Sequence, residues 1–332
     1  MRRILILHTG GTFGMVPQKP RPTLAPAEVQ EHILTHVPEL ERIAHIDFRM
    51  VCNLDSADMQ IRHWQALGQT IAGALPRYEG FVIIHGTDSM AYTAAALSFM
   101  LRNLPKPVIL TGSQRPLVEI RTDARFNLIN AVELATHPIP EVGIFFGTHL
   151  YRGNRTIKIS TTEYGAFDSP NFPPLAEVGV DIRLSDHHLR PTGEFQLLDQ
   201  FSDAVLAVRF FPGLDPAHLD FLIESPVQAL VIEGLGMGNL AVQEKSLVPL
   251  VERMTDAGKL VVITSQCTHG MVDLTRYENG NVLLSAGAIG AGDMTTEATI
   301  VKLMHLLAYH GGNMEEIRRR LLSPLAGELD KV

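Results

Sequence analysis

Arg3-Ile4-Leu5-Ile6-Leu7-His8-Thr9-Gly10-Gly11-Thr12 is a short apolar run that ends in a histidine, two threonines and two glycines. Unbroken Ile/Leu character over so few residues reads as a strand buried on both faces, the habit of a parallel sheet. The glycines directly after it read as a tight turn at the strand's carboxyl end. The same form returns along the chain. Gly80 to His85, Val108 to Thr111 and Val142 to Phe146 read as further strands, separated by helical periodicity over Pro26 to Val37, Met59 to Leu75, Met90 to Asn103 and Thr122 to Thr136. Strands alternating with helices predict an α/β domain around a mainly parallel sheet. From Phe172 to about Asp203 the periodicity fades into a stretch with Pro173, Pro174, Pro191 and Gly193, which reads as an inter-domain connection. The pattern then restarts with strands at Val205 to Arg209, Ala229 to Glu233 and Leu260 to Thr264, and helices near Val242 to Ala257 and Thr295 to Tyr309. The expected division is an N-terminal α/β domain over 1–185, a linker over 186–203 and a smaller C-terminal α/β domain over 204–332.

The composition suits a folded protein, with 332 residues, 45% of them hydrophobic and 19% charged. There are 28 Lys+Arg against 36 Asp+Glu and no basic tract to track a phosphate backbone, so nucleic acid is not an expected partner. At the N-terminus, Met-Arg-Arg is followed only by Ile4 to Leu7 before His8, far short of a signal-peptide core or a membrane span. A cytoplasmic protein is expected, with no membrane partner. Cys52 and Cys267 are the only cysteines and are expected as reduced thiols. His187, His188 and His269 show no metal-ligand spacing, so no zinc site is expected. His8 and His85 end strands and read as polar residues at the sheet's edge.

Ligands of open parallel sheets bind outside the carboxyl ends of the strands. Two such places carry chemistry. After the first strand comes Thr9-Gly10-Gly11-Thr12-Phe13-Gly14-Met15, whose glycines permit close backbone approach and expose the Thr12 hydroxyl. After Ile84 comes His85-Gly86-Thr87-Asp88-Ser89-Met90. Taken alone, Asp88 reads as an acid capping the next helix. A threonine is a poor nucleophile at its free pKa and needs a partner that takes its proton. Lys158, at the end of Tyr151-Arg152-Gly153-Asn154-Arg155-Thr156-Ile157-Lys158, reads by itself as a solvated surface charge. Brought against Asp88, it becomes a paired, partly desolvated group able to relay a proton through Thr87.

Five motifs in order then resemble the bacterial asparaginase family over about residues 3 to 328. They are Thr9 to Thr12, Asp55-Ser56-Ala57-Asp58-Met59, His85 to Asp88 with Met90-Ala91-Tyr92-Thr93, Thr111-Gly112-Ser113-Gln114, and Arg152-Gly153-Asn154-Arg155. His85 to Met100, Tyr151 to Arg155 and Asp293 to Leu303 are more similar to the cytoplasmic type I branch. The resemblance implies a flavodoxin-like, mainly parallel N-terminal domain and a Rossmann-like C-terminal one. It implies Thr12 as the nucleophile that accepts the acyl group of L-asparagine, and Thr87, Asp88 and Lys158 as a second triad. It further implies that Ser56 holds the substrate α-carboxylate and Asp88 its α-ammonium, with Asp55 and Ser113 among the substrate-binding residues. Backbone N–H groups around Gly11 and from Gly86 to Asp88 serve as oxyanion donors. No metal or organic cofactor is implied, and a homodimer or homotetramer is, in which Asn239 reaches a neighbouring site.

The chain departs from the family twice. A loop tyrosine that contacts the nucleophile in relatives falls near Pro22 or Thr23, and Phe13 to Pro26 contains no tyrosine. Tyr277 is the candidate substitute. The type I effector site implies Cys267 as an allosteric residue, but the threonine expected before the triad lysine is Ile157. Two other readings compete. Glu233-Gly234-Leu235-Gly236-Met237-Gly238 after a strand suggests a dinucleotide site, although its spacing is not Gly-x-Gly-x-x-Gly. The tyrosine-free loop suggests a catalytically weakened amino-acid-binding or sensor protein of the same fold.

Overall fold

The computed structural model describes residues 1–14 and 26–330. It divides into two compact units, Met1–Asp199 and Gln200–Val332.

In the first unit, the opening apolar run forms β1 (Arg3–Gly10) inside an eight-stranded sheet. The strands that follow are β2 (His45–Leu54), β3 (Gly80–Ile84), β4 (Leu101–Arg102), β5 (Val108–Thr111), β6 (Val142–Phe146), β7 (His149–Arg152), β8 (Ile157–Lys158), β9 (Phe167–Asp168), β10 (Ala176–Val178), β11 (Ile182–Leu184) and β12 (Gln196–Leu197). The sheet order is β11-β10-β7-β6-β5-β3-β1-β2, parallel from β2 to β6 and antiparallel from β6 to β11. The chain leaves β1 on one side for β2 and returns on the other for β3, so the strand order reverses between β1 and β3. That is the flavodoxin-like arrangement, in which the reversal opens a crevice at the strand ends.

The helices of this unit are α1 (Pro26–His36), α2 (Leu40–Ile43), α3 (Ile61–Ala74), α4 (Met90–Met100) and α5 (Ala124–Leu134). Ile33, Leu40, Ala124 and Leu128 from three of them pack with Ile4, Ile6, Val82 and Ile84 into one core. The alternate strand residues Leu5, Leu7, Phe81 and Ile83 are buried as well, which explains why these strands read as unbroken apolar runs. The small residues of α4 are almost all buried, and a Cβ on Gly153 would stand 3.0 Å from the Cβ of Ala94. The short turn Gly153–Arg155 therefore lies close on α4, the helix that follows Asp88.

The second unit is a four-stranded, all-parallel sheet in sequential order: β13 (Val205–Arg209), β14 (Ala229–Gly234), β15 (Leu260–Ser265) and β16 (Ile289–Gly290). Leu250, Val251 and Met254 of α6 (Val248–Asp256) and Leu283 of α7 (Glu278–Ser285) cover one face. Residues of α8 (Thr296–His310) and α9 (Met314–Leu321) cover the other. The chain end is tied down by a fully buried pair in which Lys302 Nζ lies 2.5 Å from Glu328 Oε1. Among the described residues, no helix is long and apolar enough to cross a membrane.

A strand at His45–Leu54 is not among those expected from the sequence, although Ile46, Phe48, Met50, Cys52 and Leu54 alternate with polar residues everywhere except at Val51. As an edge strand, β2 has one face on the core and one toward water, so its signal has a period of two instead of a continuous run. The Phe172 to Asp203 connection also differs from its expectation. It carries β10 and β11 in the large sheet, and β12 pairs with β4. Strands of two or three residues are too short to show any periodicity.

Candidate active site

The loops after β1, β2 and β3 meet at backbone contact where the strand order reverses. Gly10 and Gly11 have φ of 106° and 86°, in the left-handed region that glycine enters without strain. A Cβ on Gly10 would stand 2.3 Å from the Leu54 carbonyl oxygen, and one on Gly11 would stand 2.6 Å from Gly86 Cα. One on Gly86 would stand 2.7 Å from Ser56 Oγ. Only glycine lets three loops approach this closely.

Thr12 opens the short turn Thr12–Gly14 and is half-buried. Behind it, Phe13 is sunk in the core and its carbonyl accepts the Leu117 N–H, so the turn that carries Thr12 is anchored next to the Gly11–Gly86 approach. Ser56 is buried; its Oγ accepts the Asp88 N–H at 3.2 Å and its carbonyl accepts the Ser89 hydroxyl at 2.5 Å. Asp55 is exposed, and its carboxylate accepts the Ala57 N–H at 2.9 Å, capping the turn that presents Ser56. Ser113, just beyond β5, is buried, and its Oγ has no hydrogen-bond partner among the described residues.

Lys158 Nζ lies 2.6 Å from Asp88 Oδ1 and donates to Thr87 Oγ1 at 2.7 Å. The three residues are thus brought together across 70 positions of sequence. The lysine side chain is 17% exposed and the aspartate 66%, so the carboxylate faces solvent while the ammonium is largely covered. Helix α4 begins at Met90 after Ser89, which leaves Asp88 outside the cap position. Because the lysine donates to the Thr87 oxygen, the Thr87 hydroxyl proton is left to point elsewhere.

Two residues expected as polar groups at the sheet's edge are interior. His8 is 4% exposed and His85 is 1% exposed. Burial pushes each imidazole down to about 4, so both are neutral near pH 7. His85 bridges two elements: Nδ1 donates to the Gly86 carbonyl at 2.6 Å, Nε2 accepts from Thr93 Oγ1 at 2.9 Å, and Thr93 in turn accepts from Trp64 Nε1 at 3.0 Å. This chain ties the Gly86-Thr87-Asp88 loop to α3 and α4. The only sequence signal for it was a histidine ending an apolar strand directly before a loop of candidate residues.

The remaining candidates lie in the second unit. Asn239 closes a tight turn with Leu235 through backbone bonds of 2.7 and 3.0 Å. The glycines of the 233–238 motif serve that turn, and helix α6 starts only at Val248. A dinucleotide site needs a helix opening directly at the glycines to receive the pyrophosphate, and that reading is dropped. Cys267 is exposed, with its N–H on Ser265 Oγ. Tyr277 is 53% exposed and lines a cavity of about 570 Å³ with Val248, Glu252, Asn281 and Val282. Pro22 and Thr23 lie outside the described residues.

Comparison with known proteins bears on this site. The family model described as "Asparaginase, N-terminal" matches residues 3–190, and "Glutaminase/Asparaginase C-terminal domain" matches 204–321. L-asparaginase 1 of Escherichia coli is 41% identical over 334 residues, covering 99% of this chain and 98% of that protein. Among solved structures, the thermostable L-asparaginase from Thermococcus kodakarensis superposes with a TM-score of 0.91 at 37% identity, covering 99% of both chains. L-asparaginase I from Vibrio cholerae gives 0.90 at 38% identity, also covering 99% of both.

Proposed function

The chain belongs to the asparaginase family, and from that premise we propose that it hydrolyses the side-chain amide of L-asparagine to L-aspartate and ammonia in the cytoplasm, with Thr12 as nucleophile. The observation that carries the reading is the backbone contact between the loop bearing Thr12 and the loop bearing Thr87 and Asp88, with Lys158 held against the second.

The chemistry follows from the donors available. Thr12 Oγ attacks the amide carbon, forming a C–O bond while the carbonyl oxygen becomes an oxyanion facing backbone N–H groups of Gly11 and the Gly86–Asp88 loop. The C–N bond then breaks, and the amine leaves as ammonia with the proton that Thr12 gave up. Lys158, paired with Asp88, donates to Thr87 Oγ1 and polarises it, which leaves the Thr87 hydroxyl proton available to the reacting centre. Water, oriented by Thr87, attacks the aspartyl ester, frees aspartate and restores Thr12. Ser56 with Ser113 takes the substrate's α-carboxylate, and the exposed Asp88 carboxylate takes its α-ammonium. The working unit is a homodimer or homotetramer, to which Asn239 contributes across the subunit boundary.

Asparagine and glutamine differ by one methylene, worth about 1–3 kcal/mol in a pocket that fits the shorter chain, so glutamine turnover is minor. Ammonia release from purified protein given asparagine, glutamine or neither tests the reading. Release from asparagine with at least tenfold less from glutamine supports it. Bound asparagine without release would instead favour an amino-acid sensor.

A further inference from the structure

The register of the sheet breaks between His8 and Gly10, just ahead of the turn that carries Thr12. His8 pairs with Met50 but Gly10 pairs with Leu54, so β2 uses four residues where β1 uses two. Past such a bulge, a buried backbone N–H has no regular ladder position and needs another acceptor. The Gly10 N–H points at His8 Nδ1, 3.1 Å away. Two further side chains brace the same turn: Thr9 Oγ1 donates to the Ile84 carbonyl at 3.1 Å, and the Cys52 thiol lies 3.5 Å from the Thr9 carbonyl.

We propose that His8 is a positioning residue for the reaction proposed above, its Nδ1 holding the Gly10 amide at the bulge so that Gly11 and Thr12 are fixed against the Gly86 loop. The contact imitates the turn that an Asp or Asn side chain makes with the amide two residues on. Accepting at Nδ1 fixes the neutral Nε2–H tautomer. Burial holds the ring neutral by pushing it down to about 4, which keeps Nδ1 an acceptor. The arrangement has a cost: Nε2 is buried with no partner among the described residues. A leucine or isoleucine, as at the preceding strand positions, would avoid that orphaned donor but supply no acceptor. The histidine thus trades one unsatisfied group inside the core for one satisfied group beneath the nucleophile. Nothing here requires the ring to touch substrate, since its effect passes through the backbone of residues 10 to 12.

The inference rests on Thr12 being the nucleophile, and the test separates the two. His8→Leu removes the acceptor at similar volume; His8→Asn places Oδ1 where Nδ1 stood. With both variants folded by thermal melting, His8→Leu lowers kcat for asparagine on the order of a hundredfold with KM within about twofold, as expected for a misplaced nucleophile. His8→Asn recovers most of the loss, and hydrogen exchange of the segment spanning Gly10 to Phe13 quickens in His8→Leu but not in His8→Asn. Parental kcat in His8→Leu, or equal losses in both variants, would overturn the inference while leaving the function standing. Turnover retained by Thr12→Ala would instead overturn Thr12 as the nucleophile, and the exchange measurement would still decide whether His8 holds the turn.

Discussion

The pair Lys158–Asp88 in the first unit and the pair Lys302–Glu328 in the second share their chemistry and differ in what surrounds it. Lys302 and Glu328 are fully buried, and around the pair lie backbone groups and the Met294 sulfur, 4.0 Å from Lys302 Nζ. Lys302 donates to the carbonyls of Leu321 and Ser323 at 2.7 and 2.8 Å, and Glu328 accepts the N–H groups of Leu325 and Ala326. Such a pair is saturated with rigid partners and has nothing to react with. It clamps the chain end onto α8. Lys158 and Asp88 sit at a crevice instead, and the lysine's other contact is the Thr87 hydroxyl, a group that gives and takes protons. A lysine salt bridge is therefore structural or chemical according to its third partner and its access to water.

The largest expected effect tests the chemical pair. Lys158→Met should lower kcat on the order of a thousandfold, since the charge beside Thr87 is lost from a partly desolvated site. Its melting temperature should hardly move, because a pair with so exposed a carboxylate is worth about 0–1 kcal/mol. A stability loss comparable to the activity loss would erase the contrast between the two pairs.

The complementary change should do the reverse. Lys302→Met leaves the Glu328 carboxylate buried without its cation and should cost about 3–5 kcal/mol in denaturant unfolding, with activity per folded molecule unchanged. Adding Glu328→Leu should restore part of that stability, since a buried pair replaced by apolar groups is often near neutral. A double variant no better than the single one would show that the backbone contacts, and not the charge, tie down the chain end.

Next in size is the acid response. His8 and His85 are lowered from 6.5 to about 4 by burial, whereas the unfolded chain protonates them near 6.5. The unfolded state then binds more protons between these values. Stability is full above pH 6.5 and falls as pH drops toward 4, by up to about 1.4 kcal/mol per pH unit for each ring. From pH 7 to 5 the two together should cost about 3–4 kcal/mol, and His8→Asn should remove half of that dependence. A flat profile across this range would contradict the buried neutral assignment.

The smallest effect concerns Asp55, whose carboxylate caps the Ser56 turn. Asp55→Ala should cost about 1 kcal/mol of stability and raise KM more than it lowers kcat, because it loosens the loop proposed to hold the substrate carboxylate.

Legibility followed physical visibility. The strands β1, β3, β5, β6, β14 and β15 are buried on both faces and so stood out as apolar runs, whereas the half-exposed edge strand β13 stood out by its apolar sequence Val205-Leu206-Ala207-Val208. The edge strand β2 and the short strands β10 to β12 did not, since half-exposure or a length of two or three residues leaves little pattern. Glycines and hydroxyls at strand ends marked Thr12 and Thr87, because close backbone approach demands those residue types, while Ser56 came only from the family resemblance, its strand having gone unread. The encounter of Lys158 with Asp88 was not readable from residues alone. It depends on the Gly153–Arg155 turn lying close on α4, a packing relation between distant segments. His8 and His85 were visible as residues but not as interior ones, because the elements that cover them come from elsewhere in the sequence.

The central claim, a covalent route through Thr12, is tested most directly by quenching the protein in acid during turnover of isotope-labelled asparagine and mapping any adduct by peptide mass spectrometry. The account predicts an aspartyl ester on the peptide that contains Thr12, absent in Thr12→Ala, which should release no ammonia while remaining folded. Ammonia release by Thr12→Ala, or an adduct on another residue, would contradict it.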